Sequence, residues 1–408
     1  MYNRSLRPHV IEALQDTRVV VLSGARQVGK STLAKEISEG EHPMQHFNLD
    51  DGATRQAAQS DPKGFISGLA GPVLIDEIQR VPELLLEIKI AIDDDTSPGR
   101  FLLTGSSNLL TSKKVNDSLA GRIEHLDLWP LSQSEIEGSN SNLVDRIFDL
   151  DIPYLASSPT GMQSIVDRII SGGYPEAINR SGSRRSRWFD SYLRTTLERD
   201  VKDLATINKA GELPRLMRQV ASQTSNLFSN NNIAQKLSLS HTTVQEYVSL
   251  LEQMYLIYKL QGWKPGIGNR EATTPKIYVT DSGLLCNLLG ADTVRTVKDQ
   301  QVVGKVFESF VVSEILKHLS WSETQARAYH YQRPNKDVDI ILERTDGAIV
   351  GIEIKASATI RSGASRWLHE LREERNDSFI AGVVIGTIPQ TLPLGERLWA
   401  VPVSALWT

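Results

Sequence analysis

Hydrophobic residues in the first third of the chain form short continuous runs. Three of these runs lie at 20–22, 73–75 and 101–103, and each is followed by polar residues or glycine. Continuous apolar runs of this length are typical of strands that are buried on both faces, as in parallel sheets. A helix-forming segment follows the first run, so this part of the chain is predicted to be an α/β domain.

The middle of the chain has a helical period. Residues 232–240 predict a short helix and a turn, and Ser240 would cap a second helix that starts at His241. The apolar positions of that second helix recur at helical spacing: Val244, Tyr247, Val248, Leu251 and Met254. This pattern is typical of a helix-turn-helix, and the β-rich segments 256–260 and 276–279 would form its wing.

The C-terminal part changes from a helix at 304–316 to a strand hairpin. Residues 336–342 lead through the turn Asp346-Gly347 into the segment 349–356. Because side chains alternate along a strand, Glu353 and Lys355 are predicted to share one face. The pattern therefore predicts helix and hairpin elements in a separate α/β domain.

A glycine-rich loop after the first strand is the most specific motif. Its G-x-x-x-x-G-K-S pattern runs from Gly24 to Ser31 and is typical of a loop that holds nucleotide phosphates. Lys30 would reach the β- and γ-phosphates, and Ser31 would bind Mg²⁺. The alternative is a glycine turn between strand and helix. The residues predicted to bind ATP are Gly24, Ala25, Arg26, Gln27, Val28, Gly29, Lys30, Ser31, Thr32 and Asp76.

Polar residues end the other two buried strands. Asp76 would hold Mg²⁺, and Glu77 would polarise the attacking water. Ser107 or Asn108, after the third strand, would orient that water. An ordinary buried strand with polar ends is the alternative for each segment taken alone, but three such segments in this order favour an ATP hydrolase.

These segments resemble the AAA+ ATPases. In that family a polar sensor ends the strand after the acidic pair, and a helix then leads to an arginine that faces a neighbouring subunit. Here the resemblance implies a helix over 109–120 and makes Arg122 the candidate arginine finger in a homo-oligomer. The alternative for Arg122 is a surface ion pair after a helix C-terminus.

Composition narrows the setting more than the function. The net charge of −4 argues against wholesale coating of nucleic acid, although a local basic surface is compatible with it. The single cysteine, Cys286, excludes an intrachain disulfide and is predicted to be a buried structural thiol. No apolar stretch reaches the length of a membrane span, so a cytoplasmic protein with no membrane partner is predicted.

The second helix of the helix-turn-helix pattern carries little positive charge. It has no lysine or arginine between His241 and Glu252, and it contains Glu246. Contacts of Lys and Arg with phosphates supply most of the affinity for DNA. DNA binding and a packing or interdomain role therefore both remain open for this region.

Two carboxylates and a lysine form a second group in the C-terminal domain. Asp339, Glu353 and Lys355, with Glu308 on a preceding helix, resemble the PD-(D/E)XK nucleases, although Val338 stands where that motif has proline. The resemblance implies that Asp339 and Glu353 bind Mg²⁺, that Lys355 is the catalytic lysine, and that Glu308 is an auxiliary carboxylate. An ion-pair network in a domain without nuclease activity is the alternative.

Taken in order, the motifs resemble one prokaryotic family of ATP-binding proteins. Besides those above, the motifs Gly172-Gly173-Tyr174-Pro175-Glu176 and 276–284 carry this likeness. It implies an α/β multidomain chain with a P-loop AAA+ parallel-sheet domain, a helical lid, a winged helix and a restriction-endonuclease-like α/β domain. The expected boundaries are 1–150, 151–210, 211–290 and 291–408.

Two functions are compatible with these motifs. In the first, ATP hydrolysis gates a Mg²⁺-dependent nuclease that binds or cleaves DNA or another nucleic acid. In the second, ATP drives a conformational switch that binds DNA or a protein partner without cleavage. Cleavage that depends on Glu353 would distinguish the two.

Overall fold

The computed structural model describes residues 2–105, 121–156, 160–204, 210–264, 273–291, 299–334, 336–361 and 363–408. These residues divide into two compact units. The first comprises Asn3–Pro130 with Gln253–Tyr255, and the second comprises Leu131–Glu252 with Leu256–Thr408. The four domain boundaries that the sequence suggests stay a prediction.

The first unit is built on a parallel sheet. Its strands are β1 (Val19–Ser23), β2 (Gln45–Asn48), β3 (Val73–Asp76), β4 (Phe101–Gly105) and β5 (Ile123–Asp127). They pair in the order β2-β3-β4-β1-β5, and every pair is parallel. Its helices are α1 (Arg7–Asp16), α2 (Lys30–Glu39), α3 (Gly52–Ser60), α4 (Pro62–Ser67) and α5 (Leu84–Asp94), with a 3-10 turn at Ile78–Arg80.

The continuous apolar runs of the sequence are the central strands of this sheet. Every residue of β1, β3 and β4 is buried. The apolar face of α5 joins these strands in one hydrophobic core. Strands covered on both faces need no polar alternation, which explains why they are continuous apolar runs. The parallel order also brings the carboxyl ends of β1, β3 and β4 together at one edge.

Helices make up most of the first half of the second unit. They are α6 (Gln133–Glu137), α7 (Leu143–Phe148), α8 (Met162–Ser171), α9 (Pro175–Ile178), α10 (Gly182–Leu204), α11 (Leu213–Ser222), α12 (Asn230–Leu237) and α13 (His241–Gln253). A 3-10 turn at Ala210–Glu212 precedes α11. The Thr243 amide donates to Ser240 Oγ at 3.0 Å, so the predicted cap of α13 is confirmed.

A small hairpin follows these helices. Its strands β6 (Ile257–Leu260) and β7 (Lys276–Val279) are antiparallel and lie at the predicted segments. After the hairpin come α14 (Ser282–Leu289), in which Cys286 is buried as predicted, and α15 (Gln300–Leu319). The helix-turn-helix and hairpin pattern of the sequence is thus present among the described residues.

The C-terminal part is a mixed sheet. Its strands are β8 (Ala326–Arg333), β9 (Lys336–Arg344), β10 (Ile349–Lys355), β11 (Phe379–Gly386), β12 (Leu392–Gly395) and β13 (Leu398–Pro402). They pair in the order β12-β13-β11-β10-β9-β8. The helix α16 (Arg366–Arg375) packs on this sheet, and 3-10 turns lie at Asn376–Ser378 and Val403–Leu406. The hairpin β9-β10 turns at Asp346-Gly347, as predicted.

Polar contacts between distant segments hold the second unit together. The carboxylate of Asp281, which is fully buried, accepts the amides of Gly173 at 2.6 Å and of Leu284 at 2.9 Å. It therefore caps α14 and also fixes the segment that precedes α9. The two motifs that carried the family resemblance in this region are thus in direct contact. Gly173 and Asp281 have a structural role, because they join these two segments.

No helix among the described residues is both long enough and apolar enough to cross a membrane. The helix predicted over 109–120 lies outside the described residues, as do Ser107 and Asn108.

Candidate functional site

The glycine-rich loop joins the carboxyl end of β1 to the first turn of α2. Gly24 has φ +145°, and a Cβ added there would lie 2.2 Å from the Leu128 carbonyl oxygen. Gly29 caps α2 with φ +100°. L-residues rarely adopt such angles, so both glycines of the motif are required by the backbone. The loop therefore ends at a helix N-terminus, where amide groups favour an anion.

Lys30 lies against this loop. Its side chain is only 5% exposed, and its ammonium group donates to the carbonyl oxygens of Gly24 at 3.0 Å and Ala25 at 2.8 Å. Both of these acceptors are neutral carbonyl groups of the loop, so the two hydrogen bonds fix the position of the ammonium group. An anion at the loop would consequently meet a preplaced cation.

Ser31 and Asp76 lie together next to the loop. The Ser31 hydroxyl donates to Asp76 Oδ1 at 2.9 Å, and the Thr104 hydroxyl donates to the same oxygen. Asp76 is 3% exposed, whereas Ser31 faces solvent. A hydroxyl and a carboxylate are the donors that Mg²⁺ takes at sites of this kind. The structure thus brings together the two residues that the sequence assigned to the metal.

Glu77 follows Asp76 at a strained backbone position. Its φ is +60°, and its amide donates to Thr104 Oγ1 at 3.2 Å. The Gln79 side-chain amide donates to its carboxylate. Burial raises the pKa of Glu77, and the charge of Lys30 opposes this shift. A carboxyl group of raised pKa beside an anion site is suited to accept a proton from water.

Two contacts that support the loop were not predicted. Arg4 donates to the carbonyl oxygens of Val28 and Trp129, both at 2.6 Å, and so ties the loop to the end of the sheet. Thr104 joins the carboxylate of Asp76 to the backbone of Glu77. Arg4 belongs to no motif, and Thr104 stands before the positions predicted to orient water, so the sequence carried no signal for either.

Arg122 lies at the opposite edge of the sheet from the loop. It directly precedes β5, whose Ile123 pairs with Val19 at the amino end of β1. The length of a strand, on the order of 15 Å, separates the two edges. Arg122 Nε forms an ion pair with Asp93 Oδ1 at 2.8 Å. Arg122 therefore does not reach the phosphate loop of its own chain, and the surface ion pair considered as the alternative is present.

The second candidate site is built on the hairpin β9-β10 and the helix α15. Asp339 lies on β9, Glu353 and Lys355 lie on β10, and Glu308 lies on α15. Lys355 Nζ is 2.7 Å from Glu353 Oε2 and 4.0 Å from Asp339 Oδ2. The predicted common face of Glu353 and Lys355 is thus confirmed. Asp339 is fixed further by the Ile354 amide, which donates to its Oδ2 at 2.8 Å.

Residues outside the predicted set complete this cluster. Lys276, at the start of β7, places its Nζ 3.4 Å from Glu308 Oε1, 3.6 Å from Asp339 Oδ1 and 3.9 Å from Asp337 Oδ2. The Tyr278 hydroxyl donates to Glu308 Oε1 at 2.9 Å. In the sequence, Lys276 and Tyr278 are part of the family motif 276–284. Nothing in their spacing connects them with the carboxylates, so they were not predicted to belong to this site.

Burial and neighbouring charges shift the pKa values of the groups in this cluster. Burial, reinforced by the charge of Asp339, raises the pKa values of Glu308 and Glu353. Burial disfavours the charged form of Lys276, but Glu308, Asp339 and Asp337 outweigh it and raise its pKa. At Lys355, Asp339 and Glu353 likewise outweigh burial, so both lysines are cations at neutral pH, whereas the raised pKa values of Glu308 and Glu353 favour their protonated forms.

Two buried oxygens of the cluster have no partner. Within the described part of the chain, Glu353 Oε1 and Asp337 Oδ1 are buried without a hydrogen bond. Unpartnered carboxylate oxygens are costly unless another group meets them. No three His, Cys, Asp or Glu side chains of the described residues are grouped to hold a metal ion by themselves. Mg²⁺ commonly takes only one or two carboxylates and keeps several waters, so the residues present fit such an ion.

Comparison with known proteins divides the chain into three matched regions. An AAA domain matches residues 16–137, a domain of unknown function (DUF8612) matches residues 162–295, and a second domain of unknown function (DUF4143) matches residues 303–406. Lys276 belongs to the second region, whereas the carboxylates around it belong to the third. The second candidate site is therefore composed from two of the matched domains.

The solved structures to which the chain is similar include two proteins named RuvB and DnaA. RuvB of Thermotoga maritima is 18% identical over 62% of this chain and 87% of its own, with a TM-score of 0.31. DnaA of Aquifex aeolicus, bound to AMPPCP, is 14% identical over 61% of this chain and 86% of its own, with a TM-score of 0.29.

Relatives in sequence include proteins from bacteria and an archaeon. An uncharacterized protein of Methanocaldococcus jannaschii is 23% identical over 66% of this chain and 58% of its own length. An uncharacterized protein of Mycobacterium tuberculosis is 30% identical over 400 residues, which cover 97% of this chain and 82% of the relative. The protein therefore belongs to the family of this mycobacterial relative, with an AAA-family ATPase domain followed by the DUF8612 and DUF4143 domains.

Proposed function

We propose that the chain binds ATP and hydrolyses it at the site formed by the loop 24–32, Asp76 and Glu77. The observation that carries this proposal is the position of Lys30. Its ammonium group lies on neutral loop carbonyls at 2.8 and 3.0 Å, next to a helix N-terminus. Positive charge from two sources thus converges where polyphosphate would lie.

Glu77 and its neighbours supply the hydrolytic step. Water adds to the γ-phosphorus, the bond from that phosphorus to the bridging oxygen of ADP breaks, and Glu77 accepts the proton of the water. Mg²⁺, held by Ser31 and Asp76, would neutralise charge on the phosphate oxygens. The Thr104 hydroxyl donates to the Asp76 carboxylate and accepts the backbone amide of Glu77. The proposed roles are therefore phosphate binding by Lys30, Mg²⁺ binding by Asp76 and proton transfer by Glu77.

Phosphate release from ATP by purified protein tests this proposal. Lys30→Ala should abolish ATP binding and turnover because the cation at the loop is lost. Lys35→Ala is the matched control: it removes a lysine from the same helix, but Lys35 is exposed and forms its ion pair with Glu39, at 3.7 Å. Equal ATP affinity in the Lys30→Ala variant and the control would overturn the assignment.

Arg122 is proposed to act on ATP bound by a second copy of the chain. Its place at the far edge of the sheet excludes its own loop, and an arginine supplied from another subunit accelerates phosphoryl transfer by about 10³ to 10⁵. Arg122→Ala should then lose turnover, and mixing it with Lys30→Ala should restore turnover. Asp93→Ala, which removes only the ion-pair partner, should keep turnover. Full activity of Arg122→Ala would leave Arg122 as a surface ion pair.

The C-terminal cluster supports a second function, Mg²⁺-dependent cleavage of a phosphodiester. The specific observation is the orphaned Glu353 Oε1 beside Asp339, with Lys355 at 2.7 Å from the other oxygen of Glu353. Asp339 and Glu353 would hold the ion, and Lys355 would stabilise charge on the phosphate or position water. Glu308 Oε1 lies 3.4 Å from Lys276 Nζ.

Labelled single- and double-stranded DNA and RNA, with Mg²⁺ or Mn²⁺ and with or without ATP, test this second function. Asp339→Asn should abolish cleavage. Asp346→Asn is a suitable control because Asp346 is exposed in the hairpin turn and pairs with Arg344. ATP turnover without cleavage of any substrate would favour the alternative, an ATP-dependent switch that binds DNA or a protein partner.

A further inference from the structure

We infer that the ammonium group of Lys276 permanently takes the place of a divalent cation between Glu308 and Asp339. The site would then bind a single metal ion, on the side of Asp339 and Glu353. This inference rests on the second proposed function, because it concerns the metal capacity of the same cluster. It assigns Glu308 as the counter-ion of Lys276 rather than as a metal ligand.

The first support is the position of the ammonium group. It lies at 3.4, 3.6 and 3.9 Å from oxygens of Glu308, Asp339 and Asp337, so that three carboxylates surround it. Lys276 is only 4% exposed. Several carboxylates around a buried lysine stabilise the charged form of its ammonium group and keep the side chain in place.

The second support is the anchoring of the hairpin that carries Lys276. Strand β7 pairs with β6 on one side, and Lys276 forms a bridge with Leu227 on the other. The chain beyond β6 is joined to β8, since Trp263 N donates to the His330 carbonyl oxygen at 2.6 Å. The Lys276 backbone is thus held between neighbours on both sides, and the side chain reaches the cluster from a fixed point.

The third support is that Glu308 and Glu353, at the two ends of the cluster, differ in the partners of their oxygens. At the Glu308 end, Tyr278 donates to Oε1 at 2.9 Å and Lys276 approaches the same oxygen. At the Glu353 end, Oε1 is buried without a partner among the described residues. Glu308 Oε1 thus already has protein partners, whereas Glu353 Oε1 is available to an ion.

Charge counting agrees with one divalent ion. Four carboxylates, Glu308, Asp337, Asp339 and Glu353, face two ammonium groups, those of Lys276 and Lys355. A bound cation favours the ionised form of each carboxylate, and with all four ionised two negative charges remain, which one divalent cation neutralises. A second divalent ion would need the position and the charge that Lys276 now supplies.

Binding of Mn²⁺ to the full chain without nucleotide, measured by calorimetry, tests the inference. Lys276→Met keeps the length of the side chain and removes its charge, so it should raise Mn²⁺ affinity by about tenfold or more. The double variant Lys276→Met with Glu308→Gln should lose this gain. Lys259→Met is the matched control, because Lys259 lies on the partner strand opposite Ile277 and pairs with Glu252. Its affinity for Mn²⁺ should equal that of the unsubstituted chain.

Glu308→Gln alone gives an independent measurement should Lys276→Met fail to fold. If Lys276 holds Glu308, Mn²⁺ affinity should change by less than about threefold, whereas removal of a true ligand should cost about tenfold or more. The larger loss would overturn the inference, as would unchanged Mn²⁺ affinity in a folded Lys276→Met variant. If Mn²⁺ binding depends on Asp339 but not on Lys276, only this inference fails. If neither the unsubstituted chain nor Lys276→Met binds Mn²⁺, the proposed metal site fails with it.

Discussion

The two candidate sites place lysines in opposite electrostatic settings. In the AAA domain, the ammonium group of Lys30 donates to neutral carbonyl oxygens beside a helix N-terminus, a setting that suits an anion. In the C-terminal cluster, Lys276 and Lys355 lie against carboxylates that outnumber them. The first site therefore suits a polyphosphate, and the second suits a cation. Lysine content alone does not distinguish these sites, but the groups that face each ammonium do.

The sites also differ in how the chain assembles them. The loop 24–32 is continuous in sequence, and Asp76 and Glu77 lie at and just after the end of a nearby strand of the same sheet. The C-terminal cluster draws on β7, α15 and the hairpin β9-β10. A contiguous site is determined by local backbone geometry, whereas a dispersed site depends on the packing of distant segments. Substitutions in the contiguous site and in contacts between distant segments test this difference.

Among the substitutions that compare the two modes of construction, the largest effect is expected from Glu77→Gln. Loss of the proton acceptor should lower ATP turnover by about 10² to 10⁴ and leave ATP affinity almost unchanged. Turnover and binding of a fluorescent ATP analogue are measured on the same preparation. Glu83→Gln is the control, since Glu83 is exposed at the start of α5. A parallel loss of affinity and turnover would mean that Glu77 acts in binding and not in proton transfer.

Gly24→Ala should disrupt the contiguous site through the backbone alone. The added Cβ would overlap the Leu128 carbonyl oxygen at 2.2 Å, at a φ of +145° that alanine disfavours. Strain and overpacking together should cost about 4 kcal/mol of unfolding free energy in the first unit. Urea unfolding measures this cost. Gly52→Ala, at an exposed helix start with open space around it, should not destabilise the chain, and a similar loss there would argue against the steric explanation.

Asp281→Ala should disrupt the second unit through a contact between distant segments. It removes the N-cap of α14 and leaves the buried Gly173 amide without its acceptor. The expected cost is about 3 kcal/mol, from about 1 for the cap and about 2 for the orphaned amide. Asp299→Ala removes another N-cap, that of α15, and should cost only about 1 kcal/mol. Equal unfolding midpoints for the two variants would show that the Gly173 contact adds nothing.

This contrast also explains what the sequence could predict. The predicted roles of the loop 24–32, Asp76 and Glu77 could be assigned because short runs of consecutive residues at strand ends identify them. The hairpin pair Glu353 and Lys355 could be assigned because alternation along one strand is a local rule. Lys276 could not, since its contact with Glu308 depends on how two domains pack. Asn108 was assigned from the same local logic as Asp76, and its role stays a prediction because it lies outside the described residues.

The smallest expected effect is a pH dependence that His318 contributes to the second unit. The His318 ring is buried, and its Nδ1 accepts the Leu143 amide at 3.1 Å, which requires an unprotonated nitrogen. Burial, together with the charge of Lys317, lowers the pKa of His318 to about 3 from its ordinary 6.5. The unfolded chain therefore takes up a proton below about pH 6.5, while the folded chain does not until about pH 3.

The sign of the effect follows from that difference. The stabilising contribution is fully present above pH 6.5 and is lost as pH falls toward 3, with a slope of about 1.4 kcal/mol per pH unit. His318→Asn keeps a short acceptor near the Leu143 amide but does not titrate. The unfolding free energy of the variant should therefore fall less steeply between pH 6 and pH 5 than that of the unsubstituted chain, by about this slope. Comparing slopes removes the constant cost of the smaller side chain and the titration of groups common to both proteins. Equal slopes would mean that the His318 ring is protonated in the folded chain and that the Leu143 amide does not depend on it.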